Sequence, residues 1–253
     1  MRRILLFALL LSLVTATPAY ADPIDDVGLT ENALYETGPI PRSTCAEKPI
    51  SRINHAPTAK AYVTFVARCL DRVWSKQLAK AGVTFKKPKL SLVTKDPRTF
   101  CGAGWQKNQI FAYCDRTGTI MIVLDWKMLS KKPDDLYIFT LMGNLYGNHV
   151  QRHMGILGAF REIVPNEERK IIPHFVRRLY LQSFCLSGAF TGSVYRSMPR
   201  NSADWKFIVR IKGREASWYN GTAKSIAYWM NRGFNTRDPE NCNTWVVSDR
   251  LVA

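Results

Sequence analysis

Apolar residues recur every three or four positions in several stretches of this chain, and that spacing predicts amphipathic helices. The longest clear pattern covers 60–81 and ends before Gly82. A second long helix is predicted from Asp134, as its N-cap, toward Leu157, with Gly155 and Gly158 near its end. Shorter patterns predict helices over 167–190, with Pro173 near the start, over 202–212, and over 222–232, closed by Gly233.

Strand signals lie between the first two helices. Runs rich in β-branched and aromatic residues cover 90–94, 110–113 and 119–124. The segment Asp115-Arg-Thr-Gly118 has the composition of a hairpin turn and joins the last two runs. These runs predict a small antiparallel sheet.

The N-terminus has the pattern of a secretory signal peptide over 1–21. Arg2 and Arg3 precede an apolar run, and Ala19-Tyr-Ala21 is a small-x-small cleavage site. An uncleaved anchor is disfavoured because an apolar run of about 11 residues is shorter than the roughly 20 that span a bilayer. We expect an extended N-terminal arm over 22–59, one domain over 60–253, and no transmembrane segment after cleavage.

The chain is strongly basic, with a formal net charge of +16. Loss of Arg2 and Arg3 with the signal leaves 34 basic against 20 acidic residues, a charge of +14. Such a charge favours anionic partners. Because the basic residues are scattered, a solvated positive surface is expected rather than a specific nucleic-acid site.

Six cysteines in a chain with an export signal predict three disulfides. Sequence alone leaves 15 possible pairings. Cys101 and Cys114 bracket a short segment and would close a small loop. A cysteine zinc site is the competing use, but the chain has no C-x-x-C pair to form one.

The most informative motif is Phe139-Thr-Leu-Met-Gly-Asn-Leu-Tyr-Gly-Asn-His-Val-Gln151, inside the second predicted helix. In an H-E-x-x-H helix, two histidines four residues apart hold a metal and the glutamate activates its water. Here those positions are Asn144, Leu145 and Asn148. The motif therefore looks like a zinc-peptidase helix without its chemistry.

With this motif, the chain resembles the neutral zinc metallopeptidase family of bacteria, which has H-E-Y-G-H-H-V-Q, then E-L-Q-A-D-C-L-A-G, then G-F-x-x-G-D-x-x-x-C-x-T-F. Matching blocks occur here in the same order: Gly143 to Gln151, Tyr180 to Gly188, and Gly233 to Asp238 with Cys242 to Trp245. An earlier block, from Cys101 to Asp125, is similar to the hairpin that precedes the family's site helix. The resemblance spans roughly 60–245.

The resemblance implies a zincin-like α+β fold, with a small antiparallel sheet packed beside a site helix and further helices. Cys185 and Cys242 belong to the second and third blocks, which leaves Cys45 with Cys69. The differences from the family motifs lie at the positions that would bind the metal and supply the general base. Asn144 and Asn148 replace the metal histidines, Leu145 replaces the general base, and Tyr180 replaces the glutamate that opens the second block. We therefore expect no catalytic and no metal residue, and we expect zinc to have been lost.

Two hypotheses concern what remains of the site. Asn144, Asn148 and Tyr180 have the donors and acceptors to hydrogen bond with one another and fill the metal's place with a neutral polar cluster. Alternatively, His149 and His153, also four residues apart, could hold a relocated metal. His149 lies about 100° around the helix from Asn148, which disfavours the second hypothesis.

The resulting expectation is a secreted, catalytically degenerate protein that serves as a non-enzymatic binding or structural module at the bacterial cell envelope. Its partner would be a peptide or an anionic envelope component. The rivals are an active secreted metallopeptidase that uses the relocated metal site and a wall-associated structural protein that acts through its charge. Five aromatic residues could form a platform that binds a sugar or a peptide, although packing in the core is the commoner role of such residues: Trp205, Trp218, Tyr219, Tyr228 and Trp229.

Overall fold

A computed structural model describes residues 24–48, 50–124 and 134–253. The predicted signal peptide and Asp125 lie outside these residues. The seven α-helices in the described ranges, which short 3-10 turns supplement, are α1 (Val27–Thr30), α2 (Ala56–Lys80), α3 (Asp134–His153), α4 (Ile156–Ile163), α5 (Ile172–Val194), α6 (Ser202–Lys212) and α7 (Ala223–Thr236). The strands are β1 (Lys89–Val93), β2 (Thr99–Phe100), β3 (Ala103–Gly104), β4 (Phe111–Cys114) and β5 (Thr119–Val123). The predicted α+β class, with a small sheet beside several helices, is confirmed.

The main sheet has the order β1-β5-β4, and one detail of the prediction was wrong. β4 and β5 are antiparallel, as the turn over 115–118 requires, but β1 runs parallel to β5. The long connection over 94–110 leads from β1 to β4, which lies two strand positions away. The hairpin then returns the chain, so that β5 lies between β1 and β4. The sheet is therefore mixed, with buried β5 in its centre and β4 at one edge.

Helices α5 and α7 pack with their backbones in contact. A side chain at Gly233 would collide with the carbonyl oxygen of Cys185, and one at Gly188 with that of Met230. Gly233 therefore permits close packing. The prediction that Gly233 ends the helix was wrong, since α7 continues to Thr236. Its N-terminus agrees with the prediction, because the Thr222 side chain accepts a hydrogen bond from the Ser225 amide.

The N-terminal segment is packed onto the domain rather than extended away from it. Its apolar side chains have no regular period, yet four of them are buried in the core: Leu29, Leu34, Tyr35 and Ile40. The Asn32 amide donates to the Met154 carbonyl at 2.8 Å. Helix α2 begins at Ala56, so the predicted boundary at 59/60 falls inside a helix.

The three predicted disulfides are present: Cys45–Cys69, Cys101–Cys114 and Cys185–Cys242. The first joins the N-terminal segment to α2, the second closes the loop before β4, and the third joins α5 to the segment after α7. Within the described ranges, no helix combines the length and the apolar character that a membrane span needs.

Candidate functional site

The candidate site forms where α3 and α5 cross at close range. A side chain at Gly143 would lie 2.5 Å from the Ser187 hydroxyl, and one at Gly147 would lie 2.9 Å from the Ser183 carbonyl oxygen. The Ser187 hydroxyl donates to the Thr140 carbonyl at 2.9 Å. Small residues on both helices therefore fix the position of α3 against α5.

This crossing brings the four residues that replace the family's site residues, namely Asn144, Leu145, Asn148 and Tyr180, to one cavity of about 860 Å³. Asn144 and Asn148 lie one turn apart on α3 with Leu145 beside them, and Tyr180 faces them from α5. The other walls are the edge strand β4 and the loop before it, with the loop that follows α6. These walls contribute, among others, Gln109, Phe111, Ala112, Tyr113, Glu215, Tyr219 and Asn220, and the helices add Tyr137 from α3 and Phe184 from α5.

The predicted mutual hydrogen bonding of Asn144, Asn148 and Tyr180 was wrong. The Asn144 amide donates to the Ser183 hydroxyl at 2.7 Å, and among the described residues no hydrogen bond joins Tyr180 to either asparagine. Ser183, one turn along α5 from Tyr180, is the residue within reach of Asn144. The Tyr180 ring instead packs on Tyr219, with ring centroids 5.4 Å apart. Burial, and to a lesser extent the proximity of Tyr219, raises the pKa of Tyr180.

His149 and His153 do not line this cavity. Nε2 of His149 lies 2.6 Å from the Lys86 carbonyl oxygen, and Nε2 of His153 lies 3.0 Å from the same oxygen. A carbonyl only accepts, so both rings donate there, and Nδ1 of His149 is left to accept from the Tyr113 hydroxyl at 2.8 Å. Burial lowers the pKa of His149 to about 4. The neutral ring of His149 is therefore fully engaged in packing β4 and the residues before β1 against α3.

One group of residues in the described part of the chain has three potential metal-ligand atoms in close proximity: Cys101, Cys114 and Asp115. Both sulfurs are in a disulfide and are not thiolates. This group is therefore not a relocated zinc site.

Two carboxylates line the cavity, and each is already paired. Glu215 Oε1 lies 2.6 Å from Lys212 Nζ and accepts from the Tyr137 hydroxyl at 3.0 Å. Asp115 Oδ2 lies 2.8 Å from Arg161 Nη1. Glu215 was not among the predicted site residues, because this residue reaches the cavity from a loop that is distant in sequence from the motifs.

The five aromatic residues considered as a platform have different environments. Trp205 and Trp229 are core residues, as the commoner role predicts. Tyr219 lines the cavity, and Trp218 beside it is exposed. Tyr228 is also exposed, on α7.

Comparison with known proteins agrees with the motifs. The family model described as "Putative neutral zinc metallopeptidase" matches residues 9–203, which include the first two motif blocks. The third block lies beyond the match. The chain is also 27% identical, over 206 residues, to "Uncharacterized protein YpfJ" of Escherichia coli K12, covering 74% of this chain and 71% of that protein. The YpfJ of strain O6:H1 matches to the same extent.

No solved structure matches the chain. The family match nevertheless covers more than half of the sequence and includes the α3 and α5 segments that form the cavity. The chain therefore belongs to the neutral zinc metallopeptidase family.

Proposed function

We propose that this protein is a member of the family without peptidase activity, which holds a peptide in its cleft at the cell envelope and does not cut it. One observation carries the proposal. The positions that hold the metal and the general base in the family converge on one cavity wall, and here they are Asn144, Leu145, Asn148 and Tyr180.

These side chains do not fit a zinc ion. Zinc in proteins is held by imidazole, thiolate or carboxylate, whereas this wall offers neutral amides, a phenol and an alkyl chain. Four-ligand zinc binding in small domains contributes about 10 to 16 kcal/mol, so the loss of all three protein ligands removes essentially all of the affinity. Leu145 cannot accept a proton, so the roughly 10²- to 10⁴-fold contribution of a general base is also lost.

The cleft nevertheless has the size and walls of a binding site. Its volume of about 860 Å³ is in the range of ligand pockets. Strand β4 borders it, and within the described sheet β4 pairs on one side only, with β5. An unpaired strand edge can accept an extended peptide by main-chain hydrogen bonds. Both cavity carboxylates are paired and Lys107 also lines the cavity, so among the lining residues no unpaired negative charge is offered, and a segment rich in lysine or arginine gains little there.

The proposed location outside the cytoplasm is supported by the signal-like N-terminus and by the three disulfides, which persist in oxidising compartments. The cleavage site in the signal-like segment predicts that the mature chain begins at Asp22. N-terminal sequencing of the protein exported by its native cell would test this directly.

A purified chain of residues 22–253 provides the test of lost catalysis. After incubation with zinc and dialysis, we expect no stoichiometric zinc by mass spectrometry and no chelator-sensitive cleavage of a fluorogenic peptide library. Stoichiometric zinc together with such cleavage would overturn the proposal. If His153→Gln, at the more exposed histidine of the pair, then abolished both while the protein stayed folded, the relocated metal site would be the correct alternative.

A second candidate role, binding of an anionic envelope component, is supported by one surface feature. The Ile40 amide donates to the Arg237 carbonyl at 2.7 Å and the Ser43 amide donates to the Ser193 carbonyl at 3.0 Å. The segment that carries Arg42 therefore lies beside the C-terminal ends of α5 and α7, where Arg196 and Arg237 follow the helices. Binding of vesicles containing anionic lipid should weaken steeply as salt is raised. Reversing the charges with Arg42→Glu and Arg196→Glu should weaken it further, whereas the same change at two lysines far from these arginines should have less effect.

A further inference from the structure

Three aromatic side chains form a row that leads out of the cleft, here called the aromatic lip (Tyr180, Tyr219 and Trp218). The Tyr180 and Tyr219 ring centroids are 5.4 Å apart, and those of Tyr219 and Trp218 are 5.3 Å apart with the rings edge to face. Tyr180 and Tyr219 line the cavity. The lip therefore runs from the cavity wall at Tyr180 to the protein surface at Trp218.

The exposure of Trp218 sets it apart from other tryptophans of the chain. Its relative exposure is 63%, whereas four other tryptophans are at most 5% exposed: Trp74, Trp205, Trp229 and Trp245. An exposed indole leaves a large apolar surface in water, and such surfaces beside a cleft are typical of binding sites. The Trp218 indole is thus accessible to a bound molecule, next to Tyr219 in the cavity wall.

The loop that carries Trp218 is held by its own hydrogen bonds. Ser217 and Gly221 form a bridge through two backbone hydrogen bonds of 3.2 and 3.0 Å. The Asn220 side chain donates to the Glu215 carbonyl at 2.8 Å, and its backbone amide donates to the Ser217 hydroxyl at 3.1 Å. The exposed indole is therefore presented on a closed turn, which reduces the entropy lost on binding.

The base of this loop is tied to the helices of the site. Lys212 is fully buried, and its Nζ lies 2.6 Å from Glu215 Oε1. The same Nζ lies over the rings of Tyr137 of α3 and Phe184 of α5, at 5.0 and 5.3 Å from their centroids. This buried cation fixes the loop relative to the cleft wall that carries Asn144.

The position of the lip indicates what it would contact. A peptide paired with β4 would direct alternate side chains to opposite sides of its backbone. Tyr180 and Tyr219 of the lip line the same cavity as β4, and Trp218 packs against Tyr219 at its exposed end. Glu215, the cavity carboxylate in the same loop as Trp218 and Tyr219, is already paired with Lys212, so a cationic side chain gains little there. An aromatic or large apolar side chain matches the exposed ring surfaces.

We propose that the aromatic lip is the specificity site of the cleft and accepts an aromatic or large apolar side chain of the bound peptide. This inference rests on the proposed function, because it concerns the same cleft. It adds the class of side chain that is selected and the residue, Trp218, that selects it.

The test uses blocked octapeptides of alanine and serine, each with one phenylalanine at a different position, and the parent peptide without phenylalanine. Fluorescence anisotropy gives Kd for the mature chain, for Trp218→Ala and for the control Tyr228→Ala. We expect the best phenylalanine peptide to bind about tenfold more tightly than the parent. Trp218→Ala should abolish this difference, and Tyr228→Ala, which changes an aromatic residue 37% exposed on α7, should retain it.

Each contrary outcome has a separate meaning. Equal affinity for all peptides would overturn the lip as a specificity site while peptide binding itself stood. Absence of binding by every peptide would overturn the proposed function, and the lip inference with it. Binding of a chito-oligosaccharide that Trp218→Ala abolishes, without any preference for phenylalanine, would show that the lip serves a glycan and overturn the inference.

Discussion

Two faces of helix α3 differ in how well their residues agree with the family motif. On the cleft face, Asn144, Leu145 and Asn148 line the cavity and all differ from the family motif. On the packed face, the residues that match the motif are engaged in the fold: Tyr146, Gly147, His149, Val150 and Gln151. The family motif therefore combines chemistry with packing, and under the proposed function only the chemical part has been replaced here.

The contacts of the packed face explain this difference. The Tyr146 hydroxyl donates to Asp71 Oδ1 at 2.9 Å, which joins α3 to α2. The Gln151 amide donates to the Leu179 carbonyl and to Gln182 Oε1, both at 2.8 Å, which joins α3 to α5. Replacing such residues leaves buried polar groups unpaired, at a cost of about 1 to 3 kcal/mol each. Asn148, which lines the cavity and is only partly buried, carries no such penalty.

The largest effect is expected from restoring the cleft face. We expect the variant with Asn144→His, Leu145→Glu, Asn148→His and Tyr180→Glu to bind zinc with micromolar or lower Kd, a gain of about 8 kcal/mol. The reason is that the scaffold still brings these positions to one cavity. Titration with a competing chelator measures the affinity, and the variant that lacks only Asn148→His is the matched control. A folded variant that bound no zinc would show that the cleft no longer has the geometry of a metal site.

The second effect tests the packed face through Gly147. We expect Gly147→Val to lower the free energy of unfolding by about 3 kcal/mol or prevent folding, because the new side chain would meet the Ser183 backbone. Urea denaturation measures the change. Gly158→Val is the control, since Gly158 has open space where a side chain would be. Similar stability of the two variants would contradict the close crossing of α3 and α5.

The third effect is a pH dependence that arises from His149. Burial lowers its pKa to about 4, against an ordinary value of 6.5, so the unfolded chain binds its proton first as the pH falls. His149 therefore contributes full stability above about pH 6.5, and this contribution, about 3 kcal/mol, is lost between pH 6.5 and 4. Urea denaturation across this range should show the slope in the wild-type chain and a smaller slope in His149→Gln. His153→Gln, at a more exposed histidine, should reduce the slope less, and equal slopes in all three proteins would contradict the buried role of His149.

The sequence predicted features that depend on neighbours along the chain. The bounds of α6 agree with the predicted 202–212, because its start is set locally by Asn201 and Asp204, which form a capping box. The direction of β1 and the role of Gly233 were wrong because each depends on a distant partner, β5 and Cys185 respectively. The cleft wall on α3 and α5 followed from the motifs, whereas Glu215 and Tyr219 reach it from a loop without a motif.

The smallest effect is expected from Asn148, and it sharpens the contrast between the two faces. Asn148 is one turn from Gln151 on the same helix, yet it is only partly buried and the described residues offer its side chain no hydrogen-bond partner. Asn148→Ala should therefore change the free energy of unfolding by no more than about 0.5 kcal/mol. Gln151→Ala should lower it by about 2 kcal/mol, because it removes two hydrogen bonds and opens a cavity. If urea denaturation gave equal losses for both, the polar group on the cleft side would have a structural role of its own, and the freedom of the cleft face to change would need another cause.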